Sequence, residues 1–176
     1  MKIAIIGRTE ILYETACRLY TSGHEIVCIL TAKEAPEYTR GAEDFRKLAE
    51  QLCVPYASSA KIIDYREFLA ASAADIAVSI NYSGVIPSAV TELFPLGILN
   101  AHGGDLPRYR GNACQAWAIL NGEEKIGLCI HRMIGDELDS GDILAKDYLP
   151  IDIKTTVADA LNWIARVTPE LFVQTL

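Results

Sequence analysis

The chain has 176 residues, which suits one domain, and its 51% hydrophobic against 22% charged residues supplies a packed core and excludes disorder. A formal net charge of −7 speaks against a broad nucleic-acid surface, which needs clustered Lys and Arg, so a nucleic-acid partner is not expected. It does not speak against a small anionic ligand held by one or two arginines.

Five cysteines, Cys17, Cys28, Cys53, Cys114 and Cys129, are scattered with no C-x-x-C pair and no His at metal spacing. No metal is expected, and the odd count among apolar neighbours suggests reduced thiols in a cytoplasmic protein. The apolar run after Lys2 ends at Gly7, too short for a secretory leader or a membrane span.

Lys2 to Ile6 reads as a short buried strand, followed by Gly7-Arg8-Thr9-Glu10 and an amphipathic helix to about Tyr20. Thr9 suits the cap of that helix. A strand, a glycine and a helix start open a dinucleotide-binding unit, but G-x-G-x-x-G is absent, so no dinucleotide site is expected. Glu25 to Thr31 is the second strand, and Ala32 to Arg40, with Pro36, is a loop. Gly41 to Leu52 is a helix, Val54 to Tyr56 a short edge strand and Asp64 to Ser72 a further helix.

Asp75 to Ile80 is a buried strand running into Asn81-Tyr82-Ser83-Gly84-Val85-Ile86-Pro87, and Pro87 opens a helix over Ser88 to Leu93. Gly97 to Ala101 is the next strand. Asn112 to Leu120 is helical, with Ala113, Ala116, Trp117 and Leu120 inward. Lys125 to Met133 alternates, with Ile126, Leu128 and Ile130 on one side and Gly127, Cys129 and His131 on the other. Ile143 to Leu149 follows without an intervening helix, so these two strands pair antiparallel. From Thr155 a helix runs to the end, with Val157, Ala160, Leu161, Ile164, Leu171 and Phe172 inward and Pro169 kinking or splitting it. The alternation predicts an α/β fold, a Rossmann-like three-layer sandwich whose mostly parallel sheet ends in antiparallel strands.

Asn100 and His102 lie two apart on a strand and so share a face. An amide and an imidazole at a strand end fit a site that holds a reacting carbonyl, or a turn that the Asn caps. Three loops converge on the carboxyl edge of the sheet: Asn81 to Pro87, Asn100 to Gly111 and Ile134 to Asp142. The third carries Asp136, Glu137, Asp139 and Asp142. A carboxylate orienting His102 beside Asn100 would complete a preorganised pair of oxyanion donors.

These residues also carry a resemblance. Asn100-Ala101-His102, Leu106-Pro107-Arg108-Tyr109-Arg110-Gly111, Ala118-Ile119-Leu120-Asn121-Gly122-Glu123, Gly127 and Leu138-Asp139-Ser140-Gly141-Asp142-Ile143-Leu144 occur in one order. The series resembles the core of the 10-formyltetrahydrofolate-dependent formyltransferases, which act on methionyl-tRNA, glycinamide ribonucleotide or amino sugars. The resemblance implies that residues 1–176 are the catalytic N-terminal domain and that a C-terminal domain is absent. It assigns Asn100, His102 and Asp139 to a catalytic triad. Ser83, Gly84, Val85 and Ile86 would hold the pterin of 10-formyltetrahydrofolate, with Ile134, Asp136 and Leu138 as the second wall. His102 is an oxyanion donor or a general base.

Gly103-Gly104-Asp105-Leu106-Pro107 stands where the familiar pattern after the His is Ser-Leu-Leu-Pro or close to it; the two glycines loosen the loop and Asp105 adds a charge near the amine site. That departure favours an amino sugar on a nucleotide carrier as acceptor. Gly104, Asp105, Arg8, Arg108 and Arg110 would then contact it, the arginines facing its phosphates. Methionyl-tRNA and a non-catalytic folate-binding module are the alternatives. No membrane partner is expected, and a homodimer is left open.

Overall fold

The computed structural model describes every residue except Glu34 and Glu37. The loop expected over Ala32 to Arg40 includes those two positions and has no helix or strand at its described ones. The elements run β1 (Lys2–Gly7), α1 (Glu10–Thr21), β2 (Glu25–Thr31), α2 (Ala42–Leu52) and β3 (Tyr56–Ser58). A 3-10 turn (Ile62–Tyr65) leads into α3 (Arg66–Ala71), then β4 (Ile76–Ile80), α4 (Ser88–Thr91) and β5 (Ile98–His102). The chain ends with α5 (Cys114–Leu120), β6 (Lys125–Arg132), β7 (Ile143–Pro150) and α6 (Val157–Thr175).

One seven-stranded sheet has the order β3-β2-β1-β4-β5-β6-β7. β3 through β5 are parallel neighbours, and β6 and β7 are added antiparallel. Alternate residues of β1 feed two cores. Ile3 and Ile5 pack with Leu12 of α1, Phe45 of α2 and Phe172 of α6. Ala4 and Ile6 pack with Leu69 of α3, Val90 of α4 and Phe94. Burial on both faces is why β1 reads as an unbroken apolar run. This is the expected Rossmann-like three-layer arrangement.

The chain leaves β1 toward β2 on one side and returns as β4 on the other, which opens a crevice at the carboxyl ends of β1 and β4. There the two strand ends almost touch. A Cβ on Gly7, at φ +132°, would lie 2.1 Å from the Ile80 carbonyl oxygen, so only glycine fits. The Arg8 N–H donates to that same carbonyl at 3.1 Å.

Several local expectations change. Thr9 does not cap α1: its φ is +86° and its buried Oγ1 has no hydrogen-bond partner. The turn that brings Arg8 onto Ile80 has swung the Thr9 side chain inward. In α5 the expected inward face is wrong. Trp117 and Leu120 are 56% and 74% exposed, while Cys114 and Ala118 are buried. The phase is set by the helix entrance, where Ala113 has φ +56° and the Cys114 thiol hydrogen bonds the Gly111 and Tyr109 carbonyls. Pro169 does not split α6, and Val157 and Leu161 of that helix stay largely exposed. Thr168, Pro169, Leu171 and Phe172 are all buried, so packing on the core carries the helix through the proline's missing N–H.

Candidate active site

β5 delivers Asn100 and His102 to one face, and the β6–β7 loop brings Asp139 to them. His102 Nδ1 lies 3.5 Å from Asp139 Oδ1, an ion-pair distance with both side chains largely buried. The other Asp139 oxygen accepts the Gly111 N–H at 2.7 Å. Asp139 holds φ +46°, in the left-handed region that aspartate enters more readily than most L residues. His102 Nε2 is 2.6 Å from the Tyr109 carbonyl oxygen. A carbonyl only accepts, so Nε2 carries a proton and donates. With that proton in place Nε2 is a donor beside the cavity and not a free base.

The loop after His102 is not loose. A Cβ on Gly104 would sit 2.6 Å from both His102 Nε2 and the Tyr109 carbonyl oxygen. One on Gly103 would sit 2.1 Å from Gln115 Nε2, which donates to the Gly103 carbonyl at 2.6 Å. The two glycines let backbone and α5 close over the imidazole.

A cavity of about 280 Å³ opens at this edge of the sheet. Its floor is Asn100, His102 and Asp139 with Ser79 of β4. One wall holds Gly84 and Val85 from the loop after β4 and Glu137 and Leu138 from the loop after β6. Val85 and Leu138 leave 50% and 58% of their surface exposed, an apolar rim that suits a flat ring system. The opposite wall is helical: Ile11 of α1, Cys114 and Gln115 of α5, and Leu161, Ile164 and Thr168 of α6.

Other residues assigned from the sequence lie outside this lining. Ser83 and Ile134 are exposed, and Ile86 is buried in the second core. Asp136 acts as a tether between the two loops. Its N–H donates to the Ile86 carbonyl and its carboxylate accepts the Ser88 N–H, each at 3.0 Å. The Ser88 amide holds the Asp136 carboxyl below its ordinary pKa.

Of the five proposed acceptor contacts, none lines the cavity. Arg8 donates to the Asn81 and Lys33 carbonyls at 2.9 and 2.8 Å. Arg108 is paired with Glu123, and Arg110 is exposed with no partner among the described residues. Asp105 accepts from Lys146 at 2.8 Å and from the Tyr148 hydroxyl at 3.1 Å, which fastens the loop to β7. Gly104 acts through its close approach to His102.

Two residues escaped the sequence reading. His131 of β6 stands opposite Asn100 in the ladder and is fully buried, 3.1 Å from the Asn100 amide nitrogen. Its signal was present as a lone polar side chain on the same face as Gly127 and Cys129. Cys114 Sγ lies 3.5 Å from His102 Nε2. Burial, and then the Asp139 charge, push that thiol's pKa up, so it packs against the imidazole as a neutral group. Among the described residues no group of three or more His, Cys, Asp or Glu is placed to hold a metal, and no helix is long and apolar enough to cross a membrane.

A formyl transferase family profile matches residues 1–176. The chain belongs to that family. It is 31% identical over 185 residues to a methionyl-tRNA formyltransferase of Synechococcus sp. (strain CC9605), covering 100% of this chain and 54% of that protein. The chain thus spans about half the length of the curated relatives it matches. Among solved structures it resembles a phosphoribosylglycinamide formyltransferase from Bacillus halodurans at a TM-score of 0.81 and 17% identity, over 99% of this chain and 93% of that one. A sugar N-formyltransferase from Shewanella sp. FDAARGOS_354 matches at 0.74 and 18%, over 99% of this chain and 67% of that one. Those two likenesses bear on the fold.

Proposed function

We propose that this chain transfers a formyl group from 10-formyltetrahydrofolate to a primary amine, and that the amine is the methionyl end of methionyl-tRNA. The observation that carries the chemistry is the meeting of Asn100, His102 and Asp139 on the floor of a cavity with an apolar rim. Val85 and Leu138 would flank the pterin, and the formyl carbon would lie over Asn100. The amine attacks that carbon and a C–N bond forms. The oxyanion takes the Asn100 amide N–H and the His102 Nε2–H that Tyr109 now shares. Asp139 receives the proton of the attacking amine. The oxyanion then re-forms the carbonyl of the new formamide as the bond to N10 breaks, and N10 takes the proton from Asp139 and leaves as tetrahydrofolate, which restores the carboxylate. Each oxyanion donor is worth roughly a hundredfold or more in rate.

The helical wall supports methionyl over sugar. Ile11, Leu161 and Ile164 present alkyl surface, while the Thr168 hydroxyl is spent on the Ile164 carbonyl and the Gln115 amide on the Gly103 carbonyl. A thioether side chain is matched there, whereas the several hydroxyls of a sugar would find few replacements for their hydrogen bonds to water. Asn112 is the polar exception on this side. The net charge of −7 counts less than it first did, because a methionyl group can enter this cavity without a basic surface around it. The relatives named as methionyl-tRNA formyltransferases support the same acceptor. An amino sugar on a nucleotide remains the second reading, favoured by that same acidity.

The test is release of tetrahydrofolate from 10-formyltetrahydrofolate in the presence of methionyl-tRNA or of nucleotide-linked amino sugars. Release with methionyl-tRNA is expected. Release with the amino sugars alone overturns the acceptor, and folate binding without release in either case leaves a binding module.

A further inference from the structure

We propose that His131 is a positioning residue that fixes which way the Asn100 amide faces, an inference that rests on the formyl-transfer reading above. The argument is a chain of donors and acceptors. His131 Nδ1 lies 3.1 Å from the Ser140 carbonyl oxygen, which only accepts, so the proton of the ring is on Nδ1. Burial keeps the ring neutral, against the opposing pull of the Ser140 carbonyl. Nε2 therefore offers a lone pair, and 3.1 Å away it meets Asn100 Nδ2. The amide nitrogen must face His131. Turned by half a rotation, the amide would set its oxygen against the Nε2 lone pair.

That orientation has a chemical consequence. A side-chain amide has nearly the same shape either way round, and nothing steric tells donor from acceptor. Here one N–H is spent on His131 and the second stays free as a donor on the cavity floor. Ser79, the register partner of Asn100 on β4, is buried with its hydroxyl unpartnered, so it does not compete through a hydrogen bond of its own. The device is economical in sequence. Asp139 holds His102, and the carbonyl of the very next residue, Ser140, sets the tautomer of His131 and through it the facing of Asn100. One two-residue segment of the β6–β7 loop thus orients both halves of the site, which are carried on β5.

The test combines kinetics with a measurement that needs no turnover. His131→Phe keeps a ring of similar size and removes the acceptor. It should lower kcat by about tenfold or more while the KM for 10-formyltetrahydrofolate stays within about twofold. In an Asn100→Ala background the same change should cost less than about twofold, because a residue acting through Asn100 has nothing left to orient. His131→Gln, which can still accept from Asn100, should recover part of kcat, and it decides the matter if the Phe variant does not fold. Nitrogen NMR of the unmodified protein should show the His131 proton on Nδ1 and a coupling across the hydrogen bond from Asn100 to Nε2. A proton on Nε2, an unchanged kcat in His131→Phe, or an equal loss in the Asn100→Ala background overturns the proposal. The NMR result stands even if the acceptor or the reaction is misassigned, so the two failures are distinguishable.

Discussion

The two walls of the cavity are built by different means. The wall from the loops after β4 and β6 is held by backbone. Asn81 and Asp136 have φ values of +52° and +65°, Asp136 ties its loop to Ile86 and Ser88, and a Cβ on Gly135 would lie 2.3 Å from Ser88 Cα. The helical wall is held by side chains, Ile11, Leu161 and Ile164, on helices whose main-chain bonds are made within themselves. The first wall fixes a shape and is sensitive to conformation. The second fixes a surface chemistry and is open to exchange. The floor of Asn100, His102 and Asp139 lies between them and depends on both.

Substitutions on the floor and the two walls separate these roles, and the floor comes first. Asp139→Asn should reduce kcat by roughly a hundredfold to a thousandfold while folate binding, followed by fluorescence titration, survives. Near-normal turnover would remove Asp139 from the chemistry. Next is Gly104→Ala, which forces a methyl group against His102 and the Tyr109 carbonyl. Overpacking of this kind costs about 1–3 kcal/mol, and a thermal melt should drop by several degrees with a loss of activity. An unshifted melt would mean that the loop yields freely.

On the helical wall, Leu161→Asn should raise the KM for the proposed acceptor, methionyl-tRNA, about threefold to tenfold with little change for the folate, since one partly exposed apolar contact is at stake. Equal effects on both substrates would erase the division between the walls. The smallest effect belongs to the backbone wall's tether. Asp136→Asn weakens the acceptor for the Ser88 N–H and should raise the folate Kd a few-fold in the same titration.

A pH scan adds a check on the floor. Burial depresses the His131 pKa below its ordinary 6.5, so the neutral ring's contribution to stability is full above that value. It is lost as pH falls through the lower folded pKa, because the unfolded chain binds the proton first. Denaturant midpoints should therefore drop on acidification, and less steeply in His131→Phe.

Much of the fold was legible. The apolar runs of β1, β2 and β4, the helical spacing of α1 and α2, and the missing helix between β6 and β7 gave a mostly parallel sheet with an antiparallel end. Short-range signals failed where a tertiary contact set the conformation. Thr9 looked like a cap until the approach of Arg8 to Ile80 turned it inward, and α5 was read out of phase because Cys114 hydrogen bonds, not Trp117, fix its rotation. Val54 to Tyr56 shifted to Tyr56–Ser58 because register with β2, through Ile29 to Thr31, defines that edge strand.

By itself the sequence singled out the candidate residues of the site. Asn100 and His102 share a face because strand side chains alternate, and the ordered pieces from Asn100 to Leu144 pointed to one family. Only the tertiary structure decided what each nearby residue does. Gly103 and Gly104 turned from a loose loop into a tight cover over His102, Asp105 went to Lys146, and the arginines were spent or left outside the cavity. His131 entered because β6 pairs with β5 in a register that no local pattern specifies. The reason is physical. Alternation and helical period are properties of neighbours in the chain, whereas hydrogen-bond partners are set by distances between atoms that the chain brings together only when it folds.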